Sequence, residues 1–165
     1  MGMATIQPTT NTTPDGGQAG TLAVTGASDT GHATTQTSVI DENTEAKSCI
    51  WEDFPTFAGA RSAVTLKVDY EQDGVLSAPA NNLFTIEYSV NGGTNWTTLH
   101  SAANVEASSS ATASASLSIS QDTSQVQVRD TLDVSSAAGG AAILEVEVSN
   151  IRIEITYPDG GSMVG

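Results

Sequence analysis

The sequence predicts an all-β fold: an antiparallel β-sandwich, jelly-roll-like, with an extended N-terminal arm. Three observations carry this. From about Cys49 onward apolar residues alternate with polar ones in several separate segments, the period of a strand with one buried face. No window repeats at the helical period of about 3.6 residues. The segments are joined by connections of Gly, Ser, Ala and Pro without βαβ alternation, which favours a sandwich over a parallel sheet.

Residues 1–45 hold few apolar side chains larger than Ala, too few to close a core. They read as an extended arm in which Leu22 with Val24, and Val39 with Ile40, form short strands over Leu22–Thr25 and Gln36–Ile40 that add to another sheet. The body is expected over 46–160 and a flexible C-terminus over 161–165. Within the body, Val64, Leu66, Val68 and Tyr70 alternate with Thr65, Lys67 and Asp69. Phe84, Ile86, Tyr88 and Val90 follow in the same rhythm, and Asn91-Gly92-Gly93-Thr94 then turns the chain toward Trp96–His100, because Asn and Gly accept the positive φ of tight hairpins. Ala113, Ala115, Leu117 and Ile119 alternate with serines in a strand with a thin core face. Val126, Val128, Leu132 and Val134 make the next strand. Asp130 falls at its inward phase, where a twist or bulge would be needed to expose it. The last strand slips phase at Ser149-Asn150, between Leu144/Val146/Val148 and Ile151/Ile153/Ile155, and one extra residue there suggests a β-bulge. Glu71–Asn82, Ser101–Thr112 and Ser135–Ala142 read as loops, with Ala103–Ala111 mobile.

Composition narrows function. Nineteen acidic residues oppose five basic ones for a net charge of -14. The five cations, Lys47, Arg61, Lys67, Arg129 and Arg152, are scattered, so no nucleic-acid partner is expected. No apolar run approaches the roughly 20 residues that span a bilayer, and MGMATIQPTT lacks the basic and hydrophobic regions of a signal peptide. Neither a membrane partner nor a signal peptide is therefore expected. The single cysteine, Cys49, excludes an internal disulfide and reads as a small buried core residue. Ser, Thr and Ala fill 62 of the 165 positions, leaving a surface that is mostly small, neutral and polar.

Catalysis needs complementary polar groups that converge. The only histidines, His32 and His100, have no motif around them and read as surface residues without a role. No catalytic residue and no cofactor is assigned, and the chain is not expected to be an enzyme. Asp69, Glu71 and Asp73 before Gly74 match the first half of an EF-hand-type calcium loop, so these three are the weak metal candidates and calcium the cation. The match fails at Ala80, where a bidentate Glu belongs. Glu52 with Asp53, and Glu145 with Glu147, are carboxylate pairs of the kind sugar hydrolysis uses, but read as solvated faces. Trp51, Phe54 and Phe57 are the densest aromatic cluster. They plug the edge of the sandwich if buried, or form a platform for sugar stacking if exposed.

Ser89-Val90-Asn91-Gly92-Gly93-Thr94-Asn95-Trp96 resembles the Asp-box, the S-x-D-x-G-x-T-W hairpin of sialidases and many other β-proteins, with Asn91 for the Asp and Asn95 at the usual Thr. The resemblance implies a structural hairpin built on Ser89, Asn91, Gly92, Gly93 and Trp96, in which the polar side chain closes the loop and the Trp packs beneath it; it implies no glycosidase. Across all 165 residues the style is similar to that of a tailed-bacteriophage virion structural protein: acidic, β-rich, poor in Lys and Cys, rich in Thr, Ala, Ser and Gly, with an arm. That resemblance implies a capsid decoration or cement protein located in the virion, with other virion proteins or copies of itself as partners in a homo-oligomer or larger assembly. The alternatives are a tail-tube, adaptor or fibre component, and a non-catalytic carbohydrate-binding or adhesive module. Circular dichroism of the purified chain should show a helical fraction below about one fifth, against about a third in an average globular protein.

Overall fold

The computed structural model describes residues 1–12, 32–36, 44–77, 80–136 and 141–158. Ten strands run through them: β1 (Gly2–Ile6), β2 (Thr10–Thr12), β3 (His32–Gln36), β4 (Thr44–Glu52), β5 (Ala63–Ser77), β6 (Ala80–Ser89), β7 (Thr97–Ala103), β8 (Ser109–Leu117), β9 (Gln127–Ser136) and β10 (Ala141–Tyr157). Among the described residues the helical content is one 3-10 turn, Thr123–Gln125, whose capping Asp122 accepts from the Ser124 backbone N–H.

All strand pairings are antiparallel. One sheet runs β1-β10-β5-β8 with β3 also on β10, and the other runs β2-β4-β9-β6-β7. With β1 and β2 set aside, the remaining eight strands lie as β3-β10-β5-β8 over β4-β9-β6-β7. That is the strand order of a jelly roll, two interleaved Greek keys.

Alternation places the core as the sequence predicts. Val64, Leu66 and Val68 of β5, Phe84 and Ile86 of β6, Val126 just before β9 and Val128 within it are buried, as are Ile151, Ile153 and Ile155 of β10. Tyr88 is only half-buried. The slip in β10 is a register shift between Ser149 and Arg152 against β5, with Asn150 in the left-handed region at φ 47°. It moves the buried phase from Leu144, Val146 and Val148 to Ile151, Ile153 and Ile155. The far edge of β10 changes partner at the same place: β3 pairs with Leu144–Val148, and β1 with Ile153–Tyr157.

Trp51, Phe54 and Phe57 are buried, so they plug the sandwich and offer no platform for sugars. Beyond β4 the chain turns at Asp53, φ 59°, and crosses between the sheets toward β5. Arg61 fixes this crossing by donating to the Phe57 and Gln121 carbonyls. Cys49 is a buried core residue.

Several expectations need correction. Asp130 does not escape the interior: β9 stays in register with β4 and β6 through it, it is fully buried, and it accepts a hydrogen bond from Trp51 Nε1 at 2.9 Å. This bond offsets part of the cost of burying the carboxyl group. Glu71–Ser77 is strand rather than loop, and only residues 78–79 separate β5, in the first sheet, from β6, in the second. The inward phase simply continues through Gln72, Gly74 and Leu76, and Gln72 and Gly74 are not the bulky apolar residues that mark a core face. Ser101–Ala103 and Ser109–Thr112 are also strand, whereas Ile119 lies beyond β8 and is 57% exposed.

The boundary expected at residue 45 cuts through shared sheets. β1 pairs with β10 and β2 with β4, Ala4 and Pro8 are buried, and the first twelve residues clamp one edge of each layer. β3 likewise belongs to the body. Leu22, Val24, Val39 and Ile40, and the 161–165 terminus, lie outside the described residues. Replacing Ile153 or Ile86, both fully buried, by Ala should cost about 2 to 5 kcal/mol in denaturant unfolding; a loss below about 0.5 kcal/mol at both would reverse the strand phases.

Candidate functional site

Strand alternation puts Asp69, Glu71 and Asp73 of β5 on the outer face of the first sheet, flanked by β8 and β10. Register then does what spacing along the chain cannot: Glu71 lies directly opposite Glu147, and Asp73 opposite Glu145, while Asp69 faces Thr112 on one side and Ser149 on the other. A groove of about 310 Å³ runs over this face, lined by Asp69, Glu71 and Glu147 together with Ser110, Thr112 and Ser149. Like charges opposite one another are destabilising, so this face carries an electrostatic cost.

Among the described residues the cost is relieved at one end. Arg152 Nη1 lies 2.9 Å from Asp69 Oδ2, and its Nε lies 3.0 Å from Glu154 Oε1. Lys67 Nζ approaches Glu154 at 2.8 Å. Asp69 also accepts from Thr112 Oγ1 and Asn150 Nδ2. Partial burial disfavours its charged form, but the Thr112 and Asn150 hydrogen bonds and the Arg152 guanidinium outweigh that and hold its carboxyl below the usual value. Glu154 is likewise held low, chiefly by the Lys67 hydrogen bond. Among the described residues no ion pair reaches Glu71, Asp73 or Glu147.

The three calcium candidates therefore sit on a straight strand and do not wrap around one point. Alternate residues on a strand lie about 6.6 to 7 Å apart, while Ca²⁺ oxygen ligands lie about 2.3 to 2.6 Å from the ion. Asp73 is further engaged with its own neighbour, accepting from the Gly74 N–H. Among the described residues no group of three or more His, Cys, Asp or Glu side chains is placed to hold a metal ion.

A second polar cluster bridges the two layers. His100 of β7 stacks on Tyr70 of β5 with ring centroids 4.2 Å apart, and Phe84 of β6 lies at 5.4 Å. Gln72 Oε1 lies 3.0 Å from His100 Nε2, and the Tyr70 hydroxyl lies 3.1 Å from Nδ1. The amide oxygen can only accept, so Nε2 carries the proton and Nδ1 receives the tyrosine O–H. His100 is thus not the idle surface residue the sequence suggests. Nothing near it in sequence announces this, because its partners come from the opposite sheet. The side chain of His32 lies outside the described residues.

The Asn91 hairpin is closed by its own polar atoms. Asn91 Oδ1 accepts from Asn95 N–H at 2.9 Å, and Ser89 Oγ accepts from the Gly93 N–H at 2.9 Å. Gly92 and Gly93 have φ 65° and 81°, which only glycine adopts cheaply. Trp96 is half-buried beneath Arg129, whose guanidinium lies 4.2 Å above its ring and pairs with Glu87 at 2.6 Å. These contacts are structural, and they stiffen the outer face of the second sheet.

No family model matches the chain, and no curated protein matches it. Among solved structures it is similar to chains of infectious bursal disease virus. The Gx strain structure matches at 11% identity and a TM-score of 0.24 over 86% of this chain and 42% of that one, and the Gt strain structure at 11% and 0.24 over 96% and 37%. The chain spans less than half the length of either. A likeness at that level assigns neither fold nor function. No helix among the described residues is long and apolar enough to cross a membrane.

The His100 cluster makes stability depend on pH. Burial pulls the imidazole pKa below its ordinary value of 6.5, so the folded state binds its proton less readily than the unfolded chain. The resulting stabilisation is present in full above about pH 6.5 and is lost as pH falls through the folded-state pKa. Thermal melts between about pH 7 and pH 5 should show a steeper acid-side loss for the wild type than for His100→Gln; equal slopes would remove His100 as the cause.

Proposed function

We propose that this chain is a structural subunit of a virion, of the capsid decoration or cement type in a tailed bacteriophage, acting by association with neighbouring subunits. The observation that carries this reading is the jelly-roll strand order. Jelly rolls serve capsids, lectins and cupins, and because one fold hosts many functions the site must discriminate among them. A lectin-like use would draw on exposed rings, but the aromatic cluster Trp51, Phe54 and Phe57 is buried. A cupin-like use would need metal ligands inside the roll, where Val64, Leu66, Val68, Phe84, Ile86 and Ile153 pack instead. The capsid use asks only for a rigid body with surfaces and edges for neighbours, and the mostly small, neutral polar exterior suits it.

Association through sheet edges is the expected means, since main-chain hydrogen bonds give affinity without large apolar patches. Negative-stain imaging of the full-length protein should show regular oligomers or shells, and of intact particles, repeating knobs on an icosahedral surface. Stacked rings would instead assign a tail-tube component. Isolated monomers at every concentration, absent from particles, would overturn the structural reading.

A further inference from the structure

We propose that β8 is a homotypic assembly edge: the β8 strand of a second copy pairs with it antiparallel about a two-fold axis normal to the sheet, fusing two β1-β10-β5-β8 layers into one continuous sheet. This inference rests on the structural-subunit reading and names its partner.

The first observation is the state of that flank. β7 and β8 end their respective sheets, and among the described residues nothing pairs with their outer edges. An open edge is ordinarily blunted by charge, Pro or a bulge. β7 has such a device, a register shift opposite Ile86 and Glu87 that leaves Leu99 without a partner. β8 has none: its pairing with β5 runs unbroken from Gln72↔Ser109 to Val64↔Leu117. Its sequence, Ser109–Leu117, contains neither Pro, Gly nor any charged residue. The edge is unbroken in register, nine residues long and, among the described residues, unguarded.

The second observation is charge. The chain carries -14, so two copies repel wherever their acidic faces meet. Between Glu87 and Asp122, the segment that supplies β7 and β8, the sole Asp, Glu, Lys or Arg is Glu106. The acidic outer face instead lies over β5 and β10. A partner of opposite charge would have no reason to select the neutral flank; a partner with the same charge does.

Self-complementarity completes the case. On β8 the inward positions are Ala111, Ala113, Ala115 and Leu117, and the outward ones Ser110, Thr112, Ser114 and Ser116, as the pairing with Tyr70, Val68, Leu66 and Val64 requires. Under a two-fold axis normal to the sheet, residue n+k faces residue n−k of the other copy. Inward positions therefore meet inward ones and outward meet outward. Small side chains on both faces let the strands approach to the normal interstrand distance of about 4.8 Å.

Cysteine scanning of the full chain, one substitution at a time from Ser110 to Ser116, tests the register, because native Cys49 is fully buried and does not compete. Under mild oxidation one position, the residue on the axis, should form a disulfide-linked dimer. Its sequence neighbours should not, since their own copies lie about 8 Å apart, beyond disulfide reach. In parallel, sedimentation velocity should show self-association weakened at least tenfold by the exposed pair Ser114→Glu/Ser116→Glu, with an unchanged circular dichroism spectrum. Oligomers that persist unchanged in this variant, with no crosslinking position, would overturn β8 pairing and leave the structural reading standing. Crosslinked dimers that never build anything larger would do the reverse, and a chain that is monomeric throughout would overturn both.

Discussion

The extra residue in β10 is the constraint on which the rest of this structure depends. A strand shows opposite faces at successive residues, so a uniform 17-residue β10 would bury either Leu144, Val146 and Val148 or Ile151, Ile153 and Ile155, and never both sets. The bulge at Ser149–Asn150 restores the phase after the slip. Its Asn accepts the left-handed backbone that most residues resist. Because β10 lies between β5 on one side and both β1 and β3 on the other, the bulge also marks where the outer partner changes. Two short edge strands can then flank one long strand, and the N-terminal residues are drawn into the body.

A core this poor in bulk is completed by polar groups whose partners are distant along the chain. Trp51 Nε1 donates to Asp130, joining β4 to β9. Asn82 donates to the Val105 carbonyl and accepts its N–H, tying the connection after β7 to β6. His100 takes hydrogen bonds to Tyr70 and Gln72 of the facing sheet. Such bonds add little net stability each, yet leaving one unmade in the interior costs about 1 to 3 kcal/mol. The first two therefore fix register within the second sheet, and the His100 bonds select one alignment of the two layers.

The same economy of side chains shapes the surface. Acidic groups gather on the outer face of β5 and β10, where Arg152 and Lys67 neutralise one end and leave Glu71 and Glu147 opposed. The flank built from β7 and β8 is nearly free of charge. Copies of a molecule so arranged repel across their acidic faces and least along this flank, so in the proposed edge-to-edge pairing the charge distribution would orient association.

By itself the sequence determined the all-β class, the phases of Val64–Val68, Phe84–Ile86 and Ile151–Ile155, the hairpin at Asn91–Gly93 and the bulge at Ser149–Asn150. All of these follow from local periodicity and from backbone preferences that a residue carries with it. Tertiary structure decided what depends on partners distant along the chain. It buried Asp130 beside Trp51, carried β5 onward through Gln72 and Gly74, engaged His100 from the opposite sheet, set Glu71 against Glu147, and built the first twelve residues into both layers. None of these could be read from spacing, because strand order and register bring together residues whose separation in sequence holds no trace of their meeting.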